Sequence, residues 1–201
     1  MALNHWLLSN PLPVLIVGGG GGGGGLVQID QTTPGNTNGV VVNSGTLSAG
    51  GFTALIQATP AVQAAAYAPG QSVGGLITLT GSARIAGGSG LVQAVTAAFV
   101  SGSQPFLDVI LFNANPAAST LTDRSMVAIA AADAAKVVGV VQLTTAILLG
   151  ATAPSFVQGE LLAMPFKLPA GTALYACVVT RTAITLTSTS DMILSVNVLQ
   201  D

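Results

Sequence analysis

At 201 residues and 19.8 kDa, the chain is long enough for one substantial domain, or one domain carrying a long arm. It is 50% hydrophobic yet only 6% charged and 4% aromatic, where an average soluble domain is about 25% charged, so much of its exterior must be neutral or covered by other chains. Its net charge is −2, and its five basic residues (Arg84, Arg124, Lys136, Lys167 and Arg181) are scattered along the sequence, which argues against a phosphate-tracking surface and direct nucleic-acid binding.

The chain opens with a short apolar tag containing Trp6, Leu7, Leu8, Val14, Leu15, Ile16 and Val17, interrupted by a Pro11-Leu12-Pro13 kink. This stretch lacks the basic start of a signal peptide, and Ser9, Asn10 and the two prolines break its apolar run. Eight consecutive glycines follow, Gly18 to Gly25. Glycine loses the most backbone entropy on ordering, so such a run reads as a hinge or spacer. A phosphate-cradling loop would need Gly-Lys-Ser/Thr after its glycines, whereas Leu26, Val27 and Gln28 stand there. An apolar tag on a tether is suited to docking in a partner groove, and those seven residues are the candidate partner contacts; folding back onto their own core is the competing reading.

Gln31 to Gly51 is rich in Thr, Asn, Gly and Ser, with Val40 to Val42 as a brief strand candidate, and Asp30 is the one charge before Arg84. Exposed disordered arms are usually charged and poor in hydrophobes. Residues 1–51 are therefore expected to form an extended arm ordered by lying on a neighbouring subunit or a larger assembly, with residues 52–201 as the body.

In the body, Phe52 to Gln57 and Val62 to Ala66 are short apolar runs, closed by Pro60 and by the turn Ala68-Pro69-Gly70. Val73 to Thr80 reads as the next strand. Turn signals recur at Gly87 to Gly90, Ser101 to Ser103, Asn113 to Pro116, Pro169 to Gly171 and Ser188 to Asp191, each between apolar segments, which is the spacing of an all-β sandwich or barrel. Leu91 to Val100 sets Val92, Ala94, Thr96, Ala98 and Val100 on one face against Leu91, Gln93, Val95, Ala97 and Phe99, so both faces are expected to be covered. Leu107 to Phe112, apart from Asp108, is apolar on both faces, Leu174 to Thr180 is similar, and both belong at the centre of a sheet. Met192, Leu194, Val196 and Val198 alternate with Ile193, Ser195, Asn197 and Leu199, giving one buried face. The one helix expected is a turn or two over Ala130 to Lys136, too short to stand without packing.

Mean hydropathy is +0.72, but the longest apolar candidate, Val137 to Leu149, is broken by Gly139, Gln142, Thr144 and Thr145, so no membrane span is expected. Chemistry-bearing residues are sparse. His5 is the single histidine, Cys177 the single cysteine and Glu160 the single glutamate, which gives no basis for a metal site or for a Ser-His-Asp arrangement that would place His5 beyond the glycine tether. Cys177 is expected to be a buried small hydrophobe, with Arg181 two pleats further along its strand. Asp123 and Asp133 are the conceivable acid–base pair, though carboxylates beside a turn and a short helix are more often caps or solvated. No enzyme activity and no cofactor are expected.

The succession APGQSVGGLITL (Ala68 to Leu79), GGSGLVQAV (Gly87 to Val95), DVILFNANP (Asp108 to Pro116), LPAGTALYACVVTR (Leu168 to Arg181) and a closing VLQD resembles small virion structural proteins of tailed bacteriophages, over about residues 65 to 201. The resemblance rests on strand-and-turn signatures and carries no catalytic residue. It implies a head decoration or cement protein: a jelly-roll-like β-sandwich, homotrimeric, on the capsid exterior, with the major capsid protein and its own copies as partners. The other readings it leaves open are a head fibre, neck or tail component and, from a different class, a carbohydrate-binding host-attachment module. Sugar sites favour aromatic platforms, and here Trp6, Tyr67, Tyr175 and six Phe are the whole aromatic supply.

Overall fold

A computed structural model describes residues 27–29, 40–42, 52–160 and 163–201. The chain divides between Ala49 and Gly50. Within the first unit, β1 (Val27–Ile29) pairs antiparallel with β2 (Val40–Val42), so the short strand expected at Val40 is present and has a partner that was not foreseen. Residues 1–26, with the apolar tag and the glycine run, lie outside the described residues.

The second unit is nearly all β. Its strands are β3 (Phe52–Ala58), β4 (Ala66–Tyr67), β5 (Ser72–Leu79), β6 (Ser89–Phe99), β7 (Leu107–Phe112), β8 (Val137–Leu143), β9 (Thr145–Leu148), β10 (Ser155–Gln158), β11 (Met164–Lys167), β12 (Leu174–Thr180), β13 (Ile184–Thr185) and β14 (Met192–Gln200). They form a six-stranded sheet in the order β3-β14-β6-β10-β9, with β11 also on β6, a four-stranded sheet β5-β12-β7-β8, and the small pair β13-β4. Every pairing is antiparallel. β14 lies between β3 and β6, in the interior of the larger sheet.

One hydrophobic cluster draws on both sheets. The six-stranded sheet contributes Val92, Val95, Ala97 and Phe99 from β6 and Met192, Leu194, Val196 and Val198 from β14; the other contributes Leu107, Val109 and Leu111 from β7 and Leu174, Ala176 and Val178 from β12. The alternation expected for β14 holds over its whole length. That of β6 does not. Asn197 pairs with Ala94 and Val198 with Val92, which leaves Gln93 as an extra residue. This bulge reverses the side-chain phase, so Val92 joins Val95, Ala97 and Phe99 in the core instead of facing away with Ala94 and Ala98. The opposite face of β6 is only half-buried, and Val100 is exposed, so this strand is fully covered on one face alone.

β7 is buried at all six positions, and the reason is a second cluster on the far side of its sheet. There Ile110, Phe112, Cys177 and Val179 meet Leu121, with Val127, Ile129, Val137 and Tyr175 packed around them. The segment between β7 and β8 covers that face, which accounts for the two-sided apolar pattern of β7 and β12. One expectation needs correction: Val62 to Ala65 is irregular, with Val62 buried as a lone core contact and strand pairing confined to Ala66–Tyr67. The short helix expected from Ala130 to Lys136 is present as a 3-10 helix over Ala131–Lys136, a form suited to so few residues.

Candidate interaction surface

The charged side chains of the body are largely engaged in holding it together. Asp123 accepts the hydroxyl of Tyr67 at 3.1 Å and the amide N–H of Gly74 at 2.6 Å. Tyr67 is buried, and burial followed by the nearby Asp123 charge pushes its phenol up to about 12 despite the 2.7 Å hydrogen bond it receives from the Gln63 amide. Arg124, whose φ of 63° lies in the left-handed region, donates to Gln63 Oε1 and sits 6.0 Å from the Tyr67 ring centre. These contacts tie the irregular segment before β4, the start of β5 and the 121–125 loop into one corner.

Asp133 is buried on the 3-10 helix rather than solvated, and it does not cap that helix. Its carboxylate accepts Lys136 Nζ at 2.7 Å, Ser119 Oγ at 2.7 Å and the Ala118 amide at 2.9 Å. Lys136 and then Ser119 hold the carboxyl below its ordinary value against the opposing effect of burial. Asp123 and Asp133 thus accept from separate sets of donors, and no common donor joins them as an acid–base pair. Asp191 is also fully buried: burial disfavours its charge, but the amides of Thr187 and Ser101 outweigh that and lower its pKa. Asp108 on β7 takes Arg181 Nε at 2.7 Å, Asp201 accepts Ser89 Oγ, and the Arg84 guanidinium stacks 3.7 Å above the Phe52 ring.

Cys177 is buried as expected, with its pKa raised by burial and its Sγ 3.5 Å from Ser72 Oγ. Arg181 is turned instead to Asp108 on the adjacent strand. Asn113, at the turn after β7, donates from its amide N–H to Lys167 O and from its backbone to Lys136 O. Among the described residues, no group of three or more His, Cys, Asp and Glu side chains is placed to hold a metal ion, and no helix is long and apolar enough to cross a membrane. The candidate partner contacts Trp6, Leu7, Leu8, Val14, Leu15, Ile16 and Val17 lie outside the described residues.

What this arrangement leaves open is the outer face of the six-stranded sheet. Paired residues share a face, so the register aligns Thr53, Leu55 and Gln57 of β3 with Leu199, Asn197 and Ser195 of β14. These in turn lie beside Leu91, Ala94 and Thr96 of β6, and Ile193 lies beside Ala98. Ala98 and Thr96 lead on to Phe156 and Gln158 of β10, then to Ile147 and Thr145 of β9. All of these positions are half-buried or exposed. The five strands contain no Asp, Glu, Lys or Arg; Lys167 and Asp201 stand only at the corner where β6 begins. At ~4.8 Å per strand the face is about 19 Å wide, and along β14 it is about 30 Å long.

A neutral face of that breadth, mixing Leu, Ile and Phe with Thr, Ser, Asn and Gln, suits contact with another protein surface. Charged groups are depleted at interface cores because each must be desolvated or paired. Its signal in the sequence is the second, half-polar phase of β14, which reads as a solvent face until its neighbours are known to be equally uncharged. No family model, no curated protein and no solved structure matches the chain.

Proposed function

We propose that the protein is a non-enzymatic structural component of a phage virion that decorates the capsid exterior and cements its lattice through subunit–subunit contacts. In this reading the two larger sheets stack as a jelly-roll-like β-sandwich, the body associates as a homotrimer, and the major capsid protein is its partner. The observation that carries the proposal is the charge-free sheet face, beside a body in which Asp123, Asp133 and Asp191 serve as internal hydrogen-bond acceptors. The likeness of the strand-and-turn succession to tailed-phage virion proteins supports the same reading. Cementing would work through many weak apolar and main-chain contacts made at once, where attachment to a repeating lattice multiplies their effect. The carbohydrate-binding alternative draws less support, since Tyr67 is buried and Tyr175 packs into the second cluster.

The test is occupancy of assembled particles by wild-type protein and by Thr96→Lys and Ser195→Lys, which place charge in the middle of the face at half-buried positions. Electron microscopy should show wild-type copies on the order of hundreds per particle, as lattice symmetry requires, and the variants should lose most of that occupancy while keeping the wild-type melting temperature. Full occupancy by folded variants would remove the face from the contact. A handful of copies at one vertex or on the tail would replace the cement role with a head fibre, neck or tail role.

A further inference from the structure

The free edges of the two larger sheets differ in a way that singles out β3. A sheet edge presents unpaired N–H and C=O groups, and proteins normally blunt it with charge, proline, a bulge or brevity. β5 is blunted: Gly74 and Gly75 have positive φ, its pairing with β12 slips, and the 121–125 loop takes hydrogen bonds along its first half. β8 slips against β7 near Val137, and β9 has only four residues. β3 has none of these devices. Its seven residues, FTALIQA, pair with β14 in unbroken register, contain no charge and no proline, and carry Leu55 at 59% exposure. Among the described residues its other edge pairs with no strand.

We propose that this edge pairs with β3 of a second copy, antiparallel about a twofold axis through Leu55, so that the six-stranded sheets of two copies run on as one. A twofold axis perpendicular to a sheet keeps each residue on its own face, which restricts the axis to a residue position. Among those, only Leu55 lets all seven residues pair. The register is self-complementary in size. Leu55 meets its own copy on the outer face, flanked by Thr53 against Gln57; on the inner face Phe52 meets Ala58 and Ala54 meets Ile56, a large side chain against a small one each time. Charge is also compatible. Arg84 stacks on Phe52, and the two copies of Phe52 stand six residues apart across the axis, about 20 Å, well beyond the screening length of about 8 Å at physiological salt. This contact uses the main-chain edge of β3, whereas the capsid contact proposed above uses the outer face of the sheet, whose middle at Thr96 and Ser195 lies away from that edge.

Cysteine cross-linking of the purified full-length chain tests it. Directly opposed positions bring Cβ atoms to about 4.5–5.5 Å, close enough for a disulfide after small adjustment. Leu55→Cys should give a disulfide-linked dimer on non-reducing gels. Thr53→Cys alone should give none, but mixed with Gln57→Cys it should give the dimer. Wild type, which holds the buried Cys177, is the background control. Leu55→Lys, at an exposed position that tolerates the change in the free chain, should lower the mass measured by sedimentation. A folded Leu55→Cys protein that stays monomeric, or equal cross-linking of Leu55→Cys and Thr53→Cys alone, overturns the proposal. Because no capsid is present, failure here leaves the lattice role standing, and loss of the lattice role leaves this pairing standing.

Discussion

The amide N–H of Gly74 donates to Asp123 Oδ1 at 2.6 Å, a contact made possible by the left-handed backbone of that glycine, at φ 82°. A Cβ at this position would overlap the ring of Pro60. Gly74→Ala therefore combines positive-φ strain with a clash against a rigid side chain, and the expected loss is about 2–4 kcal/mol. Asp123→Ala removes the acceptor for both Gly74 and Tyr67 and should cost about 1–3 kcal/mol. Urea unfolding of each variant measures the losses; a Gly74→Ala protein as stable as wild type would mean that this corner does not hold β5 in place.

Acid should unfold the protein through Asp133 and Asp191. Both carboxyls lie below their ordinary value in the folded state, so the folded protein binds fewer protons than the unfolded chain as pH falls through the carboxylate range. Their contribution is fully present above an unfolded pKa of about 3.9 and is lost as pH drops through the lower folded values. Melting temperature should hold between neutral pH and about pH 5 and then fall steeply. Asp191→Asn should melt lower at neutral pH and show a shallower acid decline than wild type. An equally steep decline in that variant would assign the acid sensitivity elsewhere.

The Cys177 thiol should behave as a reporter of global unfolding. It is buried in the cluster beneath the 113–136 segment, and burial raises its pKa, so both access and thiolate are scarce in the native state. Ellman's reagent should leave the native protein unlabelled and titrate one thiol per chain in denaturant. Labelling should speed up on Asp133→Ala, because that carboxylate anchors Ser119 and Lys136 at the edges of the covering segment. Rapid labelling of native wild type would show that this segment opens on its own.

Local pattern carried much of the architecture. Strict alternation defined β14, two-sided apolar runs placed β7 and β12 inside their sheet, and Asn113 to Pro116 marked the turn that ends β7, because side-chain phase and turn chemistry depend on residues close in sequence. What depends on distant residues was not legible. Gln93 became a bulge only through its register against β14, and that single residue moved Val92 to the core. Asp133 is buried because Ser119, the Ala118 amide and Lys136 converge on it, which no helix-cap rule anticipates. The charge-free face is likewise a tertiary property: each strand alone is merely neutral, and only the order β9-β10-β6-β14-β3 lays five neutral strands side by side and leaves β3 at the edge. Sequence set which side chains alternate; long-range pairing decided which of them share a surface.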